Sequence, residues 1–558
     1  MKGNRLLSVF LSIFVLLGTF SHGEDDPSFS IAATPALPDA SSEEALDSSV
    51  DPSSEPAVRL FVPSAVAFLH NRIDAILNAN HLRSTEWSVL IQDLNSNQTI
   101  FSINPKANLM PASNRKLFTT ALALVRLGPD FRFATSLYLD GQKTYAKRFN
   151  GDLVIVARGD PTFSARWSEK KRADERFCEW ADLIRQNGIT HIRNVVIDIS
   201  AFPASEKFPG GWKDNQLDRS YSAPVSAFSF NENVVTVNVK PGAKIASACR
   251  VSLEPVEGDF RIENRTRTVG STRRAIFASR LGTENAIEVR GTLGREAKVC
   301  SMVVAVADPP PFAGDAVIQA LEARGVHVLG KLKIVETPFQ PTSQTIALPD
   351  SLSPPLCEIV KEVNRDSNNF MAEHLYKAVG LQIAGNGSYD SARQVEDEFL
   401  TEVGIDPQTV SFDDGCGLSP LNQVNSGAII TLLKYMDRHP CAEVFKDSLP
   451  TSGENGSLRH RMDERLTRGK LHAKTGFIRG ASALSGYLDC PDGTQLVLSI
   501  LGNFRDGANT RIKAQDEICR ELLKNSLLKE KPRSNGSPSP QPTAKSTKRS
   551  NKSVAKRR

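Results

Sequence analysis

Pro111-Ala-Ser-Asn-Arg-Lys-Leu-Phe-Thr-Thr-Ala-Leu-Ala-Leu-Val-Arg-Leu127 is the stretch whose reading decides the fold. After Pro111 the apolar residues recur with a helical period, which predicts a long helix carrying Leu117, Phe118, Ala121, Leu122 and Val125 on one face. Ser113 stands at its start, and Lys116, three residues on, lies about one turn away on the same side. A serine hydroxyl is a weak nucleophile until a neighbouring base takes its proton, and a lysine serves as that base only when desolvation or nearby cations lower its pKa. Read alone, the pair is equally a partly buried serine beside a snorkelling lysine. The same spacing recurs at Ser168–Lys171, Ser526–Lys529 and Ser553–Lys556, but only Ser113 opens an otherwise strongly apolar helix.

Two further short elements follow in order. Ser367-Asn-Asn369 falls where a loop enters a helix, and local rules alone read it as an N-cap. Lys474-Thr-Gly476 begins a strand, where a cation, a hydroxyl and a residue allowing close backbone approach suit a ligand carboxylate; its plain reading is an exposed strand end.

Together the three resemble the motifs of the serine penicillin-recognising enzymes. The longer strings Gly159-Asp-Pro-Thr, Tyr221-Ser-Ala-Pro-Val-Ser-Ala, Asp414-Gly-Cys-Gly-Leu-Ser and Gly453-Glu-Asn-Gly-Ser-Leu make the chain similar to the class C low-molecular-mass penicillin-binding proteins. These are the D-alanyl-D-alanine carboxypeptidase/endopeptidase family of serine peptidases. The resemblance covers roughly residues 60–525, and the separation of 254 residues between Ser113 and Ser367 matches the family's habit of carrying two extra domains there. It implies an α/β (α+β) fold of the serine transpeptidase/β-lactamase type, with β-rich domains inserted between the first and second motifs. It also implies an acyl-enzyme peptidase of peptidoglycan stem peptides that β-lactam antibiotics inhibit, working without cofactor or metal. Ser113 would be the nucleophile, Lys116 the base, Ser367 the proton relay and Asn369 the holder of the substrate amide. Lys474 and Thr475 would bind the terminal carboxylate, Gly476 would let the strand approach, and the N–H groups of Ser113 and Phe477 would form the oxyanion hole.

The chain departs from the family pattern in two places. Phe477 replaces the usual Ser or Thr, which leaves the backbone N–H in place, and Pro420 stands where an Arg commonly reads the carboxylate on the substrate's side chain. Arg479 is the expected substitute for that Arg, with Glu206 meeting the side-chain amine, so that the two would read a diaminopimelate-type end.

Outward from the motifs, an amphipathic segment at Val66–Leu77 precedes a hairpin of Trp87–Asp93 and Thr99–Ile103. Strand-like patterns dominate from Phe131 to Ile334, and helical periodicity returns at 316–323, 356–383 and 426–436. Strands at 471–478, 483–488 and 494–501 and a helix at 510–528 close the body. Both ends of the body thus build one α/β domain: a first part at 58–132 and a second at 335–528, around β-rich domains at 133–334.

The ends read differently. Residues 1–23 carry Lys2 and Arg5 before an apolar run of secretory-signal length, with a retained anchor as the alternative. Residues 24–57 form an acidic linker, with nine acids and no base in 24–56, and 529–558 form a basic tail, with nine bases and no acid in 531–558. Of the formal +5, the body between them, 57–530, keeps +3, which offers no general polyanion-binding field and predicts no nucleic-acid partner. The tail is a candidate tether to an anionic envelope polymer or a membrane surface. The expected location is the periplasm or cell envelope. Eight scattered cysteines without a C-x-x-C pair argue against zinc and leave bridged and free thiols both open. The rival functions are a β-lactamase-like hydrolase, for which no Glu-x-x-Leu-Asn box is found, and a non-catalytic wall-binding protein. A Ser-His-Asp hydrolase lacks a G-x-S-x-G elbow.

Overall fold

The strand at Ala481–Asp489 is buried along almost its whole length, which places it at the centre of the molecule. Successive side chains point to opposite faces: Ala483 and Tyr487 enter one core, Leu484 and Leu488 another. The strand belongs to a five-stranded antiparallel sheet running Leu471–Ile478, Ala481–Asp489, Gln495–Asn503, Glu86–Asp93 and Thr99–Ile103. The two ends of the body therefore share one sheet. The computed structural model describes residues 63–525 except 145–146, 257, 259 and 506–507; the signal, acidic-linker and basic-tail readings lie outside it.

One face of the sheet is covered by helices Pro63–Leu77 and Ala508–Asn525, through Leu69, Ile73, Ile518 and Leu522. The other carries helices Arg115–Leu127, Leu356–Arg365, Asn369–Ala384, Tyr389–Val403 and Ser426–Arg438. Helix Arg115–Leu127 differs from its expectation: Arg115 to Leu124 are all buried, so it is a central helix rather than a surface one, while Val125 is only half-buried. Its polar residues survive there because each finds a partner, as Thr119 does by donating to the Gly415 carbonyl at 2.5 Å.

The helical periodicity over 356–383 belongs to two helices, separated at 366–368 where the loop was read to enter a helix, and Ser367 there adopts φ +57°. Helix Tyr389–Val403 was not read from the sequence, nor was Glu175–Gln186, whose buried Phe177, Cys178, Trp180, Ala181 and Ile184 keep a helical period among charged neighbours.

Between the first and second motifs a second core gathers Leu137, Ile155, Ile197, Phe228, Val237 and Val289. A sheet joins Ala134–Lys143, Phe149–Val156, Val195–Asp198 and Leu332–Val335, and Thr345–Ala347 and Ser351–Leu352 also pair with its first strand, past residue 334. Two three-stranded sheets, a two-stranded parallel pair of His191–Ile192 and His327–Val328, and the helices Glu175–Gln186 and Pro309–Ala323 also belong to the region. None of the eight cysteines is in a disulfide. No described helix is long and apolar enough to cross a membrane.

Candidate active site

Ser113 lies not in the helix proper but in the short turn Ala112–Asn114 leading into it, and Ala112 before it is held at φ +48°. Two neighbours press this turn into place. A Cβ on Gly417, itself at φ +86°, would sit 1.9 Å from the Ala112 carbonyl oxygen, and one on Gly476 would sit 2.7 Å from the Pro111 oxygen. Asn114 locks the turn to the sheet, donating to the Lys474 carbonyl at 2.8 Å and accepting from the Ser485 hydroxyl at 2.7 Å.

Lys116 is fully buried, and its Nζ lies 3.1 Å from Ser113 Oγ, 2.6 Å from Asn369 Oδ1 and 2.6 Å from the Cys416 carbonyl oxygen. Burial holds its pKa below the ordinary lysine value, against the opposing pull of Cys416, Asp414 and Glu373. Lys474, also fully buried, donates to Ser367 Oγ at 3.0 Å; burial first and the nearby Lys116 second push its pKa well down. The three sequence elements thus meet in pairs: the first with the second through Lys116–Asn369, the second with the third through Ser367–Lys474.

The cap reading of the second element is right for its middle residue only. Asn368 caps helix Asn369–Ala384 by accepting from the Met371 N–H, while Ser367 and Asn369 on either side of it line the cleft. Lys474 sits mid-strand, not at an exposed end, and Thr475 Oγ1 is 2.6 Å from Ser457 Oγ. Leu471–Ile478 is the edge strand of the sheet, so alternate N–H groups on its open side, toward the Ser113 turn, have no strand partner.

A cleft of about 490 Å³ is lined by Ser113, Ser367, Asn369, Tyr221 and Phe477, with Phe477 54% exposed at its mouth. Lys213, Gln216, Leu418, Pro420 and Arg479 line it too. Glu206 is the expected site residue that the structure does not bring into the cleft. It is not among the lining residues; its Oε2 accepts from buried Lys377 at 2.8 Å and from the Tyr389 N–H at 2.8 Å. The buried Lys377 ammonium needs that carboxylate, although the Glu206 side chain itself stays 30% exposed. Arg479 does line the cleft, and neither it nor Lys213 has an ion-pair partner among the described residues.

Further participants come from the longer strings quoted above and from outside any motif. Cys416 contributes its carbonyl to Lys116, and Tyr221 accepts through its carbonyl from Asn369 Nδ2 at 2.7 Å. Asp414 is a hub, accepting from Trp212 Nε1 at 2.9 Å and from the N–H groups of Gly417 and Ser419 at 2.7 Å. Arg115 is buried beside Lys116 and pairs with both oxygens of Glu396, at 2.5 and 2.9 Å. Glu373, one turn beyond Asn369, has both carboxylate oxygens buried without a hydrogen-bond partner of ordinary geometry, and desolvation pushes its pKa up to about 7. Its oxygens lie within 4.8 Å of ligand atoms of Asp414 and Cys416, but Asp414 is already saturated by the donors above.

Residues 69–522 match the D-Ala-D-Ala carboxypeptidase 3 (S13) family. The chain is 32% identical over 467 residues to the D-alanyl-D-alanine carboxypeptidase of Actinomadura sp. (strain R39), covering 81% of this chain and 84% of that one. In structure it is similar to penicillin binding protein 4 (dacB) from Haemophilus influenzae, with a TM-score of 0.70 and 22% identity over 83% of this chain and 99% of that one. The structure of that protein complexed with a β-lactam gives a TM-score of 0.66 at 20% identity, again over 83% of this chain and 99% of the other.

Proposed function

The chain belongs to the D-Ala-D-Ala carboxypeptidase 3 (S13) family of serine peptidases, and on that footing we propose that it cleaves after D-Ala in peptidoglycan stem peptides through an acyl-enzyme on Ser113. Carboxypeptidase action would release D-Ala; endopeptidase action would open a D-Ala–diaminopimelate cross-link.

The observation that carries this reading is the seat of Lys116. A neutral amine has two N–H bonds and one lone pair. Asn369 Oδ1 and the Cys416 carbonyl, each at 2.6 Å, take the two N–H bonds, which aims the lone pair at Ser113 Oγ, 3.1 Å away. Burial favours that neutral form. Lys116 accepts the Ser113 proton as Oγ attacks the D-Ala carbonyl, and the oxyanion rests on the N–H groups of Ser113 and Phe477. The proton reaches the leaving amine through Ser367, whose hydroxyl Lys474 orients from 3.0 Å. Asn369 holds the substrate amide. Lys474 and Thr475 meet the terminal carboxylate, and Gly476 keeps the strand close enough for them to do so. Water then releases the acyl group, whereas a β-lactam leaves Ser113 blocked. Arg479 and Lys213, cationic side chains at the cleft wall, would meet a carboxylate on the stem-peptide side chain.

The apolar run in residues 1–23 supports export to the periplasm or cell envelope, where this substrate lies, and the basic tail from 529 supports attachment to anionic envelope material. The test is incubation with a defined pentapeptide and a cross-linked muropeptide, wild type against Ser113→Ala. Free D-Ala or separated monomers are expected from the wild type alone, together with fluorescent-penicillin labelling that Ser113→Ala abolishes. Neither product appearing would defeat the peptidase reading, and steady penicillin turnover would favour a β-lactamase.

A further inference from the structure

The body's small excess of positive charge is not spread evenly. Residues 261–298 hold nine Lys and Arg against four Asp and Glu. They form a three-stranded sheet in the intervening region, ordered Arg274–Arg280, Ala286–Gly294 and Arg261–Val269. One face is core, with Ile287, Val289 and Leu293 packed inward. The alternation of the strands turns Arg261, Arg265, Arg267 and Arg290 to the other face.

Register concentrates these cations. Arg290 pairs directly with Arg265 on one side and with Phe277 on the other, and Thr292 pairs with Arg267. Phe277 is 57% exposed, and the Arg290 guanidinium lies 5.3 Å from its ring centre. Only Glu263 and Glu288 share the face. Arg265 takes both, at 3.0 and 3.1 Å, leaving Arg261 at 3.8 Å and Arg290 at 3.5 Å. Arg267, together with exposed Arg273 and Arg295 at the same end of the sheet, has no ion-pair partner among the described residues. Like charges opposed across strands cost stability unless something outside compensates them.

We propose that this face is a docking surface for the carboxylate-bearing peptidoglycan polymer, apart from the cleft. The inference rests on the function proposed above for its choice of occupant. Guanidinium forks match carboxylates, and the exposed aromatic supplies an apolar contact beside them. Each stem peptide left uncross-linked ends in a carboxylate, so a polymer offers many weak contacts that add, whereas a soluble muropeptide fills the cleft alone. The face holds the enzyme on the wall while the cleft works on individual stems.

The test uses the full chain carrying Ser113→Ala, so that nothing is cleaved, with and without Arg267→Gln/Arg273→Gln/Arg295→Gln, substitutions that break no ion pair. Each protein is sedimented with purified sacculi freed of attached phosphate polymers, and with the same sacculi before that treatment. The triple variant is expected to bind the freed sacculi on the order of tenfold more weakly at low salt, with the difference vanishing at high salt. In the Ser113 background the same triple variant is expected to keep penicillin labelling and its rate on soluble pentapeptide. Unchanged sedimentation overturns the proposal. So does binding that needs the phosphate polymers, or a fall in soluble activity equal to the fall in binding. Loss of labelling by Ser113 would instead count against the peptidase reading.

Discussion

Glu373 shows how much a single buried side chain is asked to tolerate beneath this site. Its carboxyl ionises near 4.5 in an unfolded chain but at about 7 in the fold, so the folded state holds that proton to higher pH. Stability is therefore highest below the unfolded value and falls as pH rises through the window, by on the order of 3 kcal/mol in all. Glu373→Gln removes this loss. Its denaturation midpoint should exceed that of the wild type at pH 8 and converge with it near pH 4. Arg115 is the opposite case, a buried cation whose bidentate partner Glu396 is nearly as buried. Arg115→Met strands that carboxylate, and chemical denaturation should show about 3–5 kcal/mol of destabilisation. Neither residue was legible in the sequence as more than a charge in a helix. A charge becomes consequential through what surrounds it, and those surroundings are assembled from positions hundreds of residues away, 281 in the case of Arg115 and Glu396.

Among the elements, the turn at Ala112–Asn114 places Ser113 beside a residue in an uncommon backbone conformation, and at the break at 366–368 Ser367 itself adopts one. Each is held from outside. Gly417→Ala puts a methyl group against the Ala112 carbonyl, so the turn must shift. Fluorescent-penicillin acylation should slow by at least tenfold while far-ultraviolet circular dichroism stays unchanged. Asn368→Ala removes the helix cap and a hydrogen bond to Glu232, and should cost about 1–2 kcal/mol in thermal unfolding with little change in acylation. The spacing S-x-x-K was readable because three residues along a helix is a local relation. The strand at Leu471–Ile478 was readable to its ends for the same reason. The loop entering the helix at Ser367 was readable from its capping residues, but the left-handed conformation of Ser367 was not, because it is imposed by tertiary contacts.

For the whole molecule, the region between the motifs is part of the site. Tyr221 lends its carbonyl to Asn369, and Trp212 donates to Asp414, which in turn fixes the Gly417 loop against Ala112. Trp212→Phe deletes that donor with little change of shape. Penicillin acylation should fall, and penicillin-stabilised and free protein should both unfold about 1–3 kcal/mol sooner. If acylation and unfolding stay at wild-type values, the region is a passenger on the catalytic domain.

The sequence by itself determined the chemistry and the scaffold: a serine one turn from a lysine, two further polar elements, and a sheet drawn from both ends of the body. These are local or periodic patterns that side-chain identity specifies directly. Tertiary structure alone decided which acceptors aim Lys116, that Glu206 pairs with buried Lys377, and that Arg261, Arg265, Arg267 and Arg290 share one sheet face. Backbone carbonyls carry no identity in a sequence, and burial and register belong to residues only once distant segments have met.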